Sequence, residues 1–142
     1  MTMWAWQRGI YLKRMRKEVH HPVGSPVAGP YSPAVSADDL IFTAGQVPLD
    51  PETGKLVEGD FKARVRQTLD NVSKVLQTTG SSLDQAVKVT VFLTDLSRFT
   101  ELNEVFPDYF PEEPPARSAV QVSKLPLDAD IEIECIAVRK KE

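Results

Sequence analysis

Apolar positions recur with two distinct periods along this chain. Between residues 60 and 79, Phe61, Val65, Leu69, Val72 and Leu76 follow at steps of four, four, three and four residues. That spacing lays one apolar stripe along a helix. Asp60 is placed to cap its start and Gly80 to take the left-handed position just past its end. Residues 86–94 change period: Val87, Val89, Val91 and Leu93 alternate with Lys88, Thr90 and Phe92, which predicts a half-buried strand. A second helix is predicted from Asp95 or Ser97, with Phe99, Leu102, Val105 or Phe106, and Tyr109 as its stripe. Pro107 falls inside it and predicts a kink or an early stop, with the carbonyl of Asn103 left free.

Residues 34–47 read as a hairpin turning near Ala37, Asp38 and Asp39. Leu40, Phe42 and Ala44 share one face, and Ile41, Thr43 and Gly45 the other. A glycine inside a strand implies a close approach to its backbone, by a ligand or within a simple bulge. Residues 48–59 form a turn-rich connection. Two further strands are predicted at 114–122 and 131–138, joined by a loop that holds Pro126, Asp128 and Asp130. Arg117 sits near the start of the first. In the second, Glu132 and Glu134 share one face, while Ile131, Ile133 and Cys135 share the other. From residue types alone, an arginine and two carboxylates on packed strands are a structural ion-pair group before they are a site.

The order is hairpin, helix, strand, helix and two strands. It predicts a single α+β domain, with both helices on one face of an antiparallel or mixed sheet. The other face would carry Ile136 and Val138 beside Glu132, so it is expected to be covered by other subunits.

Composition narrows the chemistry. The 142 residues suffice for one domain with a real core. A net charge of −3 offers no basic field for nucleic acid. The single cysteine, Cys135, excludes an internal disulfide and a multi-cysteine metal site, and its place on the Ile133 face predicts a buried, inert thiol. His20 and His21 are adjacent, hence poorly placed to chelate one metal, and read as ordinary surface or strand residues. No apolar run approaches the roughly 20 residues that span a bilayer, so a soluble, intracellular protein is expected. Residues 23–33 are too rich in proline and glycine for a helix or central strand, so Tyr31 is held on a loop. It caps the core or covers a pocket.

Three ordered segments carry a resemblance. Residues 114–126 read P-P-A-R-S-A-V-Q-V-S-K-L-P, with I-E-I-E at 131–134; residues 29–32 read G-P-Y-S; residues 43–48 read T-A-G-Q-V-P. Together they resemble the Rid family, the reactive intermediate (imine/enamine) deaminases, also called YjgF-like proteins. The resemblance covers about residues 18 to 139.

It implies a chorismate-mutase-like homotrimer with clefts between subunits. It also implies hydrolysis of 2-imino acids such as 2-iminobutyrate or 2-iminopropanoate, and of their enamine tautomers, to 2-keto acids and ammonia. These species leak from pyridoxal-phosphate enzymes, which the deaminase protects. No metal or organic cofactor is implied. By the same resemblance Arg117 holds the substrate carboxylate. Glu132 takes a proton from the attacking water, with Glu134 as the neighbouring alternative, and the carbonyl of Ala119 orients the imine nitrogen. Tyr31, Ala44, Gly45 and Asn103 line the cleft. Two positions depart from the pattern: many members carry a hydroxyl residue where Ala44 stands, and many deaminating members carry cysteine where Ala119 stands. These departures favour a competing reading, a non-catalytic trimer that binds small carboxylates. A nuclease reading finds no basic stripe in the acidic core.

Residues 1–17 are basic and hold no acid before Glu18. They could be a mitochondrial transit peptide, although they lack serine, or a segment that touches a membrane or nucleic acid. The favoured reading makes Met15 the working start and residues 1–14 a dispensable extension ahead of a domain at 18–142. The expected location is then the cytoplasm, with small imino and keto acids and further copies of the chain as partners, and neither nucleic acid nor membrane.

Overall fold

A computed structural model describes residues 15–22 and 27–141. The readings made for residues 1–14 lie outside the described residues. Among the described residues six strands form one sheet: β1 (Lys17–His20), β2 (Ala34–Ala37), β3 (Leu40–Thr43), β4 (Ala86–Leu93), β5 (Ala116–Gln121) and β6 (Ile131–Val138), in the order β1-β2-β3-β6-β4-β5. Only β4 and β5 run parallel. Among the described residues two helices, α1 (Phe61–Thr78) and α2 (Phe99–Tyr109), cover one face, which makes the fold α+β as expected.

The α1 stripe is buried as predicted, with Val65, Leu69 and Leu76 fully enclosed. Asp60 accepts a hydrogen bond from the Ala63 amide at 2.9 Å. At the far end Gly80 takes φ +88°. There the Ser81 amide donates to the Leu76 carbonyl and the Gly80 amide to that of Gln77. These crossed bonds satisfy carbonyls that the helix leaves open. Pro107 does not stop α2 at once. The helix runs two residues further to Tyr109, and the Phe110 amide closes it on the Phe106 carbonyl at 2.9 Å. Proline so near the end removes only the donor to Asn103, and too few turns follow for a clash to propagate.

The two C-terminal strands are not neighbours, because β4 lies between them. The strand–helix–strand connection through α2 brings β5 back parallel to β4. The following loop crosses the end of β4 and feeds β6 into the centre. Ile131, Ile133, Cys135 and Ala137 are at most 2 % exposed there. A central strand needs both edges paired, and β6 finds β3 on one side and β4 on the other.

Register fixes the faces. Arg117 aligns with Val89 and Cys135, Ala119 with Val91 and Ile133, and Val120 with Phe92 and Glu132. Directly paired residues project to one side. Arg117 and Ala119 therefore share the helix-covered side with the core. Glu132, Glu134, Phe92, Val120, Ile136 and Phe42 share the open side. Val87 departs from its predicted burial and is 44 % exposed, because the register shifts between Ala86 and Lys88.

A second shift moves Gly45. Phe42 aligns with Ile136, but Gln46 aligns with Ile133, so one extra residue is accommodated between them. Gln46 thus returns to the core side three residues after Thr43, and Gly45 turns to the Glu132 side rather than sharing the face of Ile41 and Thr43. The bulge and the close approach are one feature. Cys135 is buried as predicted, and burial pushes its thiol up to about 12.

Candidate functional site

The first cluster is built on β5 and α2. β5 is an edge strand, so one side of its backbone is unpaired among the described residues. The Val122 amide reaches the Leu93 carbonyl at 2.8 Å. Since backbone groups alternate along a strand, the carbonyl of Val120 also turns towards β4 and that of Ala119 turns to the free edge. Arg117 projects from this edge onto α2. Its Nη2 donates to the Asn103 Oδ1 at 2.7 Å. Its guanidinium carbon lies 5.1 Å from the centre of the Phe99 ring and 4.6 Å from that of Phe106. Planar guanidinium stacks well on aromatic faces and keeps its remaining donors free. None of the ion pairs among the described residues includes Arg117. Burial lowers its pKa, yet a guanidinium stays charged near neutrality. The cross-sheet Arg–Glu pair that residue types suggested is absent among the described residues, because register places those groups on opposite faces.

The second cluster is built around Gly45. A Cβ added there would fall 1.9 Å from the Glu132 Oε1 and 2.7 Å from its Cδ. Glycine is what lets the carboxylate lie against the chain. The pairing of Gln46 with Ile133, at 2.8 and 2.9 Å, pins the two strands beside it. Burial raises the Glu132 pKa, and the nearby Glu134 charge adds to the rise. Tyr31, Ala44, Gly45 and Glu132 line one cavity of about 610 Å³, together with Asn71, Lys74 and Leu127. The Ala44 amide donates to the Pro33 carbonyl at 2.8 Å, which holds the proline-rich loop against the strand end. Glu134 is instead at a separate hollow of about 220 Å³ with Lys88 and Thr90.

One chain thus divides the seven expected residues into two groups. Arg117, Asn103 and Ala119 stand at the β5 edge; Tyr31, Ala44, Gly45 and Glu132 stand around the cavity, which none of the first group lines. Several contributors escaped the sequence reading. Phe99 and Phe106 fall on the predicted apolar stripe of α2, and the helical period alone does not mark them as a platform for Arg117. Asn71 donates to the carbonyls of Val47 and Leu49 at 3.1 and 2.9 Å, and so fixes the cavity wall from α1. A polar residue flanking the apolar stripe was its only signal. Among the described residues no group of His, Cys, Asp and Glu is gathered as for a metal ion, and no helix is long and apolar enough to cross a membrane.

Residues 23–139 match the profile of a family described as Endoribonuclease L-PSP. A RutC family protein of Pyrococcus abyssi is 47% identical over 127 residues, which cover 89% of this chain and all of that one. Reactive Intermediate Deaminase A, a chloroplastic protein of Arabidopsis thaliana, is 44% identical over 124 residues, 87% of this chain and 66% of that one. A crystal structure of a Rid family protein from Yersinia pestis superposes with a TM-score of 0.82 at 40% identity, covering 87% of this chain and 99% of that one. The six-stranded sheet, its two helices and the matched residues together place the chain in the Rid (YjgF-like, L-PSP) family, which includes reactive intermediate deaminases.

Proposed function

We propose that the chain hydrolyses 2-imino acids and their enamine tautomers, 2-iminobutanoate and 2-iminopropanoate among them, to 2-keto acids and ammonia. It would do so as a homotrimer with sites between copies, in the cytoplasm, with imino and keto acids as its small-molecule partners. The observation that carries the reading is the Arg117 guanidinium: half-buried, stacked on two rings, held by a neutral amide and unpaired with any described carboxylate. Such a group is prepared for an external carboxylate, which it can take with two parallel hydrogen bonds.

The rest follows from the chemistry of a C=N bond. A protonated imine is already electrophilic at carbon, so the reaction asks for a placed water and a proton acceptor. Glu132 would take the proton as water adds to the imine carbon. Its raised pKa makes it a better base than an ordinary carboxylate. The Ala119 carbonyl at the free edge would accept a hydrogen bond from the imine nitrogen. Glu132 then returns that proton to the amine, and the tetrahedral adduct expels ammonia as its hydroxyl proton passes to water and the keto group forms. Arg117 and Glu132 act on one substrate only if they come from different copies. The open face supplies an apolar surface for that assembly: Leu40, Phe42 and Val120 are 36 %, 39 % and 42 % exposed. Three copies are what the family resemblance supplies.

A non-catalytic carboxylate-binding trimer is the second reading, favoured by Ala44, which places a methyl rather than a hydroxyl in the cavity wall. Neither nucleic acid nor membrane is proposed as a partner, given the net charge of −3. The deciding experiment follows 2-keto acid release from 2-iminobutanoate generated in situ by threonine dehydratase, with wild type and Arg117→Ala in parallel. Acceleration by the wild type alone supports the deaminase. Saturable binding without any acceleration supports the second reading.

A further inference from the structure

The loop between β5 and β6 contains the least favourable backbone in the described chain. Leu127 and Asp128 are consecutive, and both are left-handed, at φ 59° and 56°. Glycine adopts this region freely, and asparagine or aspartate adopt it with local help; leucine has no such excuse. Leu127 is also 63 % exposed, so burial does not compensate it within the chain. The surroundings hold it there from both sides. The Ala129 amide donates to the Pro126 carbonyl at 3.1 Å, the Asp128 amide to that of Leu125 at 3.2 Å, and Lys124 pairs with Asp128 at 3.2 Å. Beyond the turn, Asp130 is pinned by Arg64 at 2.9 Å, and its carbonyl accepts the Thr94 amide at 3.2 Å. A strained backbone kept by its surroundings points to a use.

The use is indicated by position. Leu127 and Pro126 line the same cavity as Tyr31 and Glu132, on the loop that leads into the Glu132 strand. Much of that wall is apolar: Val27, Pro33, Leu49 and Val75 contribute. In one copy its volume is about 610 Å³.

We propose that Leu127 is a specificity-determining residue, held in a left-handed turn at the cavity mouth so that its isobutyl group covers the apolar side chain of the substrate. The inference rests on the proposed 2-imino acid site and adds a preference for longer aliphatic side chains over a methyl group. An apolar wall discriminates modestly, by about 10-fold per added methylene or two.

The test uses the intact protein and two 2-keto acids as product probes, pyruvate and 4-methyl-2-oxopentanoate, with binding read by titration calorimetry. Leu127→Gly relieves the backbone and removes the cover; Leu127→Asn suits the turn but leaves a polar group. Both variants should melt no lower than wild type, with the glycine variant about 3 °C higher. In both, the ratio of branched-acid to pyruvate affinity should fall about 10-fold. An unchanged ratio of the two affinities in folded variants would overturn the role of Leu127 and leave the carboxylate site standing. If wild type bound neither acid, the site itself and this inference would fall together.

Discussion

Arg117 and Glu132 stand on opposite faces of one sheet, with β4 between their strands. Arg117 lies over the rings of Phe99 and Phe106 on the helix side, and Glu132 lies against Gly45 on the open side. On the proposed reading, in which both residues serve one substrate, a single copy therefore holds half of each of two sites.

Complementation between inactive variants follows. Arg117→Ala and Glu132→Gln, each purified alone, should be inactive. Co-expressed, they should regain part of the wild-type rate, because one copy's arginine then meets another copy's glutamate. Keto acid release from the isolated mixed oligomer is the measurement. No recovery from a verified mixed oligomer would place both groups in a site within one copy.

Arg117→Lys keeps the charge and loses the planar fork. The variant should fold normally and weaken carboxylate binding about 10- to 100-fold, the worth of one charge-assisted hydrogen bond. Thermal melting beside keto acid titration separates the two effects. A large fall in melting temperature would mean that the stack on Phe99 and Phe106 is structural first.

Gly45→Ala should leave stability nearly unchanged and cost about 100-fold in kcat/KM. The added methyl meets the tip of a flexible side chain, 1.9 Å from the Glu132 Oε1, so the carboxylate can swing aside. A catalytic group displaced by an ångström or more loses rate on that scale. A variant with wild-type turnover would show that the observed Glu132 position is not the working one.

The pH dependence has a definite sign. Burial, with Glu134 second, raises the Glu132 pKa above its usual 4.5 in the folded protein. Its contribution to stability is therefore full below the usual value and is lost as pH rises through the higher folded value. Glu132→Gln does not titrate, so it should match the wild type near pH 4 and grow relatively more stable towards neutrality. Melting curves across that interval read the gap directly. A gap that narrows as pH rises would contradict the raised pKa.

Cys135 should resist alkylation in the native protein and react once the protein unfolds. The residue is 2 % exposed, and burial holds the thiol up near 12 against a usual 9.0. Thiolate is then about a thousandfold scarcer than in an exposed cysteine. Mass spectrometry after timed iodoacetamide treatment would show it; rapid native labelling would imply frequent opening of β6.

The sequence alone determined most of the elements; β1 went unpredicted, because its four residues Lys17–His20 carry no apolar alternation to mark it. The α1 stripe, its Asp60 and Gly80 caps, and the alternation along β6 are local periodicities, set by 3.6 and 2 residues per turn whatever the rest of the chain does. It also determined which face of β6 carries Glu132 and which carries Cys135, since alternation is a property of the strand itself. The resemblance nominated all seven site residues, and their numbers alone could not say which would meet. Tertiary structure decided that. β5 and β6 follow one another in the chain, yet β4 enters between them, because the helical crossover returns β5 parallel to β4 and leaves β6 to fill the buried centre. The registers of two ladders then sent Arg117 and Glu132 to opposite faces, and one bulged residue turned Gly45 against the carboxylate. Register depends on pairing between distant segments, and a shift of one residue reverses a face. No local pattern encodes it.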